Sequence, residues 1–235
     1  MSFEFPERPL GDATPVKAVP HPVGAVPMPH KRPFGLYRDV FKRVLDLSAI
    51  LLAAPLVVPI VALAAVAVAR DGGSPFYCQQ RVGKGGRIFR MWKLRSMVPD
   101  ADGQLKTILA SDPAMCSEWN ATQKLRNDPR ITKVGRFLRR SSLDELPQLW
   151  NVITGDMSLV GPRPMMPDQR ALYPGTAYYA LRPGITGYWQ TAGRNRTTFH
   201  ARAEYDAIYE ESVALRTDLR LLFQTVGVVV NGTGC

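Results

Sequence analysis

"LSAILLAAPLVVPIVALAAVAVA", residues 47–69, is the stretch that decides the fold. It contains no charged residue, and its length is close to the roughly 20 residues that a helix needs to cross a bilayer. The core helix of a small domain is usually shorter and apolar along one face, whereas this segment is apolar on all sides. The sequence therefore predicts a helix that enters a membrane.

The prolines and the flanking charges bear on how this helix enters. Pro55 and Pro59 each remove a backbone donor and kink a helix. Basic residues normally mark the cytoplasmic flank of a membrane segment, and here they stand on both flanks. They are Lys31, Arg32, Arg38, Lys42 and Arg43 before the run, and Arg70, Arg81, Lys84, Arg87 and Arg90 after it. This pattern favours a re-entrant helix that bends at the prolines over a spanning helix, although prolines also occur in true spans.

Three regions follow along the chain. Residues 1–33 are rich in proline, lack apolar periodicity and are predicted to form a disordered or polyproline-like tail. The tail is either a plain linker or a partner-binding segment, and it lacks the apolar core of a signal peptide. Residues 34–70 form the basic-flanked membrane segment. Residues 71–235 form a cytoplasmic domain.

The cytoplasmic domain is predicted to be α+β and mainly helical. Alternating residues around the turn Gly83–Gly86 indicate a short β-hairpin. Residues 100–126 are predicted to be helical, and residues 127–142 are turn-rich and basic. The stretches 155–164 and 182–195 are punctuated by glycine and read as loops. Residues from about 199 to 230 are predicted to be helical, with apolar side chains that pack on the core or lie at the membrane interface.

Composition narrows the function classes. The net charge of +10 predicts an anionic partner, which could be nucleic acid, lipid headgroups or a phosphorylated substrate. No nucleic-acid-binding module is recognised, so nucleic acid ranks last. The three cysteines are scattered, which argues against a disulfide framework and a zinc site. Two of the three histidines lie in the tail, which argues against a histidine-based catalytic triad.

The segment "SSLDELPQLW", residues 141–150, places two acids side by side at Asp144 and Glu145. One interpretation is structural, because Ser142 and Glu145 match the capping box of a helix start. That interpretation leaves Pro147 past the first turn, where its ring would clash with the preceding turn. It also gives Asp144 no role.

The alternative interpretation is chemical. A carboxylate at a helix start among cations is held ionised, and an ionised carboxylate can attack phosphorus. Arginines can clamp phosphate oxygens, and a neighbouring acid can hold Mg²⁺. The cations that accompany the acids in the sequence are Lys93, Arg95, Arg139, Arg140 and Arg163. From the residues alone, both interpretations stay open.

Four blocks of the sequence are familiar together. They are "KLRSM" (residues 93–97), Asp128–Pro164, Arg182–Asn195 and the C-terminal helix with Asp206 and Tyr209. They resemble the bacterial sugar transferases, which are monotopic phosphoglycosyl transferases that start glycan assembly on polyprenol phosphate. The resemblance runs from about Phe34 to the end of the chain. It is greatest to the short members that initiate exopolysaccharide synthesis with UDP-galactose or UDP-glucose.

The resemblance implies a mechanism. Asp144 matches the nucleophile that attacks a UDP-hexose, expels UMP and forms a covalent phosphosugar, which undecaprenyl phosphate then attacks. Glu145 matches the second acid, and with Asp144 it is expected to hold Mg²⁺. Arg139 and Arg163 match phosphate-contacting arginines. Lys93 and Arg95 are expected to contact the substrate.

The resemblance also implies a location and partners. It places the chain on the cytoplasmic face of the bacterial inner membrane, with downstream glycosyltransferases as further partners. The surplus positive charge predicts that anionic lipid headgroups hold the domain there. The family helix bends at a Ser-Pro pair, and this chain has Ala54-Pro55 there, so Pro55 is expected to make the bend without the serine. The alternative function is a non-catalytic membrane adaptor of a polysaccharide assembly complex.

Overall fold

The apolar segment forms one long helix. The computed structural model describes residues 34–122, 125–193 and 199–230, and the predicted tail lies outside the described residues. A π-helical turn, Tyr37–Phe41, leads into α1, Lys42–Ala69, which contains both prolines. Its apolar window has a mean hydropathy of 2.7, and only 6% of it is buried. By length and composition this helix can enter a membrane, as predicted.

The remaining elements make the domain mainly helical with two small sheets, in agreement with the predicted α+β class. The strands are β1 (Phe76–Val82), β2 (Ile88–Leu94), β3 (Ser158–Val160) and β4 (Gly184–Thr186). The helices are α2 (Ala101–Ser111), α3 (Pro113–Thr122), α4 (Lys133–Ser141), α5 (Gln148–Thr154), α6 (Ala177–Ala180), α7 (Arg202–Ser212) and α8 (Leu215–Val230). A 3₁₀-helix, Pro167–Leu172, and a π-helical turn, Trp189–Gly193, complete the described elements.

The predicted hairpin is confirmed. Strands β1 and β2 pair antiparallel with Val82 opposite Ile88. Gly85 in the connecting turn has a φ of 66°, a left-handed conformation that glycine adopts at little cost. The glycine-rich turn therefore allows the chain to reverse between the two strands.

The second sheet was not predicted. Strands β3 and β4 pair in parallel with Ser158 opposite Gly184, and they lie in the two stretches that read as loops. A Cβ on Gly184 would collide with the backbone of Gly161, so the close approach of these stretches requires glycine. The glycines that suggested loops thus permit backbone contact between two short strands.

Helix α4 also differs from the prediction, which treated residues 127–142 as turn-rich. Thr132 caps it by accepting a hydrogen bond from the Gly135 amide at 2.8 Å. Val134 and Leu138, four residues apart, face the core, whereas Lys133, Arg136 and Arg140 are exposed. Gly135 permits contact with Ser96, because a Cβ there would collide with the Ser96 carbonyl.

The N-terminal half of α1 is fastened to the domain. Ile50 packs in a core cluster with Phe89 and Met91 of β2. Asp46, which is 3% exposed, accepts hydrogen bonds from the Ser158 hydroxyl at 2.7 Å and the Leu159 amide at 3.2 Å. A buried carboxylate needs such donors, so these bonds specify where the helix meets β3.

The C-terminal end of α1 is fastened to the same domain. Val68 packs with Leu94 of β2 and Leu138 of α4. Between the two anchors, large apolar side chains remain uncovered, and Leu52 is 83% exposed. Helix α1 therefore touches the domain near both ends and exposes its middle.

The C-terminal helices complete the packing, as predicted for residues 199–230. Asp218 of α8 has no exposed surface and accepts hydrogen bonds from Tyr37 at 2.7 Å, Lys42 at 2.6 Å and Tyr209 at 2.7 Å. These bonds join the start of α1 to α7 and α8. Helix α8 exposes Phe223 on its other side.

Candidate active site

A cavity of about 840 Å³ opens at the end of the hairpin. Its wall combines the end of β2, the segment after α4, the loop after β3 and the π-helical turn. All six predicted chemical residues line it: Lys93, Arg95, Arg139, Asp144, Glu145 and Arg163.

The two acids lie in a break between helices. Helix α4 ends at Ser142, whose φ of 57° is left-handed, and a 3₁₀ turn, Leu143–Glu145, follows. The Ser142 side chain makes no capping hydrogen bond, so the capping-box interpretation is wrong. Pro147 precedes the first residue of α5, where a proline ring meets no earlier helical turn. The break thus turns Asp144 and Glu145 toward the cavity.

Lys93 sets the local electrostatics. Its ammonium lies 2.8 Å from Glu145 Oε1 and 4.0 Å from Asp144 Oδ2. Burial raises the pKa of Asp144 above its ordinary value, Lys93 and Arg139 oppose that rise, and Glu145 adds to it. The expectation that the surrounding cations would determine the pKa of Asp144 is therefore wrong. Desolvation outweighs them and leaves a more basic carboxylate.

The two arginines expected to contact phosphate line the cavity on different elements. Arg139 Nε, at the end of α4, donates to the Ser96 hydroxyl at 2.8 Å. The Arg163 guanidinium lies 5.5 Å from the centre of the Trp189 ring. Two cations on the wall of one cavity suit a phosphate-bearing ligand.

Arg95 lies in a different setting from Lys93. Its guanidinium donates to the Ser74 carbonyl at 2.7 Å, to Asp71 at 2.9 Å and to the Val68 carbonyl at 3.3 Å. It therefore ties the C-terminal end of α1 to the hairpin. A contact between Arg95 and substrate stays a prediction.

The sequence reasoning missed several wall residues. Trp189 stacks on Arg163 and on Arg202, whose guanidinium is 5.1 Å from the ring centre. Arg202 also donates to the Arg163 carbonyl at 2.6 Å, which steadies that loop. A tryptophan inside a glycine-punctuated loop was the available signal. Thr225 of α8 also lines the cavity, and no sequence motif around it could have predicted this position.

The acids fit a magnesium ion. Within the described residues, no group of three or more histidine, cysteine, aspartate or glutamate side chains could hold a metal. Mg²⁺ usually takes one or two carboxylates together with substrate phosphates. Asp144 and Glu145 provide that donor set on the cavity wall.

Comparison with known proteins identifies relatives of this chain. The family described as bacterial sugar transferase matches residues 37–232. The chain is 44% identical over 195 residues to a UDP-galactose-lipid carrier transferase of Erwinia amylovora, a match that covers 82% of this chain and 41% of the relative. It is 44% identical over 206 residues to an undecaprenyl-phosphate galactose phosphotransferase of Salmonella typhimurium, covering 87% and 42%.

A shorter relative aligns along nearly its whole length. The exopolysaccharide production protein ExoY of Sinorhizobium fredii is 39% identical over 225 residues, covering 94% of this chain and 96% of the relative. The chain spans only about two fifths of the two longer relatives. The family match covers most of the chain, including every residue on the cavity wall named above. The chain belongs to the bacterial sugar transferase family.

Proposed function

We propose that this chain is a membrane-bound phosphoglycosyl transferase in exopolysaccharide synthesis. It transfers hexose-1-phosphate, with galactose or glucose as the sugar, from a UDP-hexose to undecaprenyl phosphate and releases UMP. The observation that most strongly supports this proposal is the pair Asp144 and Glu145, which lies on a cavity wall together with Lys93, Arg139 and Arg163. The names of the relatives point to the same donor and acceptor classes.

The first step forms a bond from Asp144 to phosphorus. A carboxylate oxygen attacks the phosphorus that carries the sugar, the bond from that phosphorus to the bridging oxygen breaks, and UMP leaves with the electron pair. Burial favours this attack because it leaves the carboxylate poorly solvated and more basic. Arg139 and Arg163 hold the phosphate oxygens, so the reacting atoms stay in line.

The second step transfers the phosphosugar to lipid. An oxygen of undecaprenyl phosphate attacks the same phosphorus, and the bond to Asp144 breaks to regenerate the carboxylate. When bound at Asp144 and Glu145, Mg²⁺ supplies charge neutralisation for the phosphates. Lys93 holds Glu145 at 2.8 Å and keeps a positive charge beside the dyad.

The membrane course of α1 is proposed to be re-entrant. Its anchors at Ile50 and Val68 belong to two core clusters that each include residues of the strand β2, so both ends of the apolar run lie against one domain. We propose that α1 bends at Pro55 and Pro59, which remove backbone donors in its middle. This bend leaves both ends on the cytoplasmic face of the inner membrane, where UDP-sugars are found.

The test is release of UMP by the purified full chain. With Mg²⁺, undecaprenyl phosphate and UDP-galactose or UDP-glucose, the native chain should release UMP and Asp144→Asn should release none. Asp156→Asn is the matched control, since Asp156 pairs with Arg87 away from the cavity. Full activity in Asp144→Asn would contradict the nucleophile. No release from any UDP-sugar by the native chain would favour the adaptor.

A further inference from the structure

Arg202 of α7 is a buried cation without an ion pair. It is 7% exposed, and within the described ranges no carboxylate lies at ion-pair distance from its guanidinium. Burial lowers the pKa of Arg202, and Asp206 opposes that change from beyond ion-pair distance. Its buried Nε also lacks a hydrogen-bond partner among the same residues. A buried charge left unpaired costs free energy, so the position of Arg202 needs a reason other than stability.

Two contacts connect Arg202 to Arg163, the residue of the cavity wall that is proposed to hold phosphate. In the first, Arg202 donates to the Arg163 carbonyl at 2.6 Å. The second runs through Trp189, whose ring centre lies 5.1 Å from the Arg202 guanidinium and 5.5 Å from that of Arg163. Phe199, with its ring centre 4.9 Å away, confines Arg202 further. Arg202 therefore contacts both the backbone of Arg163 and the ring beside the Arg163 guanidinium.

Arg163 needs such support because its side chain is exposed. The chain before it is tied to β4 through the Pro162 carbonyl at 2.8 Å, and the chain after it is tied to β1 through the Met165 carbonyl at 3.0 Å. Neither bond restricts the long Arg163 side chain, which loses rotamer entropy when it binds a ligand. Contact with a fixed ring reduces that loss, because the guanidinium already lies near its bound position.

A third guanidinium adds positive charge at this end of the cavity. Arg81 donates to the Pro164 carbonyl at 3.4 Å, next to Arg163. Burial lowers the pKa of Arg81 to about 10, and the charges of Arg163 and Arg202 add to that decrease. Neighbouring cations that repel one another favour the binding of an anion. In a UDP-hexose, the diphosphate is the group with the matching charge.

We propose that Arg202 is a positioning residue for the diphosphate of the donor. It holds the Arg163 backbone through a hydrogen bond and the Arg163 guanidinium through Trp189, so Arg163 meets the phosphate oxygens without prior rearrangement. Arg202 lies behind the cavity wall and acts on the ligand through Arg163. The inference deepens the proposed function and rests on it for the identity of the ligand, a UDP-hexose.

Donor binding is measured with a chain that cannot react. The full chain in nanodiscs carries Asp144→Asn and is titrated calorimetrically with UDP-galactose and with UDP-glucose in the presence of Mg²⁺. Arg202→Met in this background should weaken the donor affinity about tenfold, as expected when one charge-assisted hydrogen bond is no longer well placed. Arg202→Lys keeps the positive charge but has no planar guanidinium to stack on Trp189, so it should weaken the affinity as well.

A double-mutant cycle tests whether Arg202 acts through Arg163. Arg163→Met should weaken donor binding, and adding Arg202→Met should cause no further loss. Arg170→Met is the matched control, because Arg170 also donates to a backbone carbonyl, that of Gly86, and does not line the cavity. This control should keep the native affinity. Thermal unfolding identifies the folded variants, and Arg202→Lys replaces Arg202→Met in the cycle if the methionine variant does not fold.

Three results would overturn the proposal. They are native donor affinity in a folded Arg202→Met or Arg202→Lys chain, additive losses in the double variant, and an equal loss of affinity in Arg170→Met. Because the titration uses a chain that cannot react, it does not depend on transfer. A native chain that binds UDP-hexose and releases no UMP would contradict the proposed function, whereas the cycle would still decide the role of Arg202.

Discussion

At the scale of single residues, Ser142 shows that a short sequence motif can predict the wrong local structure. Its spacing to Glu145 fits a helix start, yet in the structure Ser142 ends α4 in a left-handed conformation. The difference arises because Pro147 opens the next helix instead of extending the first. That these acids and cations meet on one cavity wall was predictable from their types and grouping, whereas the burial that raises the pKa of Asp144 depends on the whole fold.

Asp206 gives a prediction about stability and pH. It is 3% exposed and accepts a hydrogen bond from the Tyr173 hydroxyl at 2.8 Å. Burial raises its pKa to about 7, while Tyr173 and Arg202 act in the opposite direction. In the unfolded chain an aspartate titrates near 3.9. The folded state therefore keeps a proton that the unfolded state has lost, and the free energy of unfolding should fall as pH rises from about 4 to about 7.

Asp206→Asn should lack this contribution. Asparagine can still accept from Tyr173, so the variant should gain stability relative to the native chain as pH rises through this range, with no further gain above it. Thermal unfolding of both proteins in detergent at pH 5, 6, 7 and 8 measures the difference, and Asp156→Asn serves as the control. Parallel curves for the native chain and Asp206→Asn would contradict the assignment.

At the scale of secondary-structure elements, some can be predicted from their own sequence and others cannot. The hairpin was predictable because glycines and alternating residues act over a few positions. Strands β3 and β4 were not, since each has three residues and their pairing joins distant segments. Helix α4 was not predicted because a glycine among many charged residues is typical of a turn. In the structure Gly135 instead allows the helix to pack closely against Ser96.

Arg95 allows a test between an element-joining role and a substrate-binding role. Its side chain bonds to Asp71 and to carbonyls at the end of α1. Arg95→Gln should cost about 2 kcal/mol of the free energy of unfolding, because several charge-assisted hydrogen bonds are lost. The KM for UDP-hexose should stay unchanged.

Lys93→Gln is the matched comparison for Arg95→Gln. Lys93 faces the dyad, so this variant should lose activity strongly with a smaller effect on stability. Chemical unfolding and steady-state UMP release give both quantities. A raised KM in Arg95→Gln without loss of stability would instead support the substrate contact that the sequence predicts.

The whole molecule combines a membrane helix with a domain that touches it at both ends. Length and apolar composition were sufficient to predict a helix that is long and apolar enough to enter a membrane. They could not specify that Asp46 docks on β3 or that Tyr37 and Lys42 meet Asp218, because such contacts join residues more than 100 positions apart. These contacts fasten the N-terminal end of α1 to the domain, and Val68 packs its C-terminal end on the same domain.

The re-entrant course predicts that both ends of α1 face the cytoplasm. In chains without native cysteines, Phe34→Cys and Ser74→Cys place one exposed thiol before and one after the helix. A membrane-impermeant maleimide should label neither position in intact spheroplasts and both positions after permeabilisation. Labelling of one position in intact cells would indicate a spanning helix.

The proposed covalent intermediate is tested most directly by the mass of the intact protein. The purified chain is incubated with Mg²⁺ and its UDP-hexose in the absence of undecaprenyl phosphate, then quenched and analysed by mass spectrometry with peptide mapping. We predict an added mass of one hexose phosphate less one water, located on Asp144, absent from Asp144→Asn and lost when undecaprenyl phosphate is supplied. An adduct on another residue, or UMP release that needs both substrates together and leaves the protein mass unchanged, would contradict the mechanism.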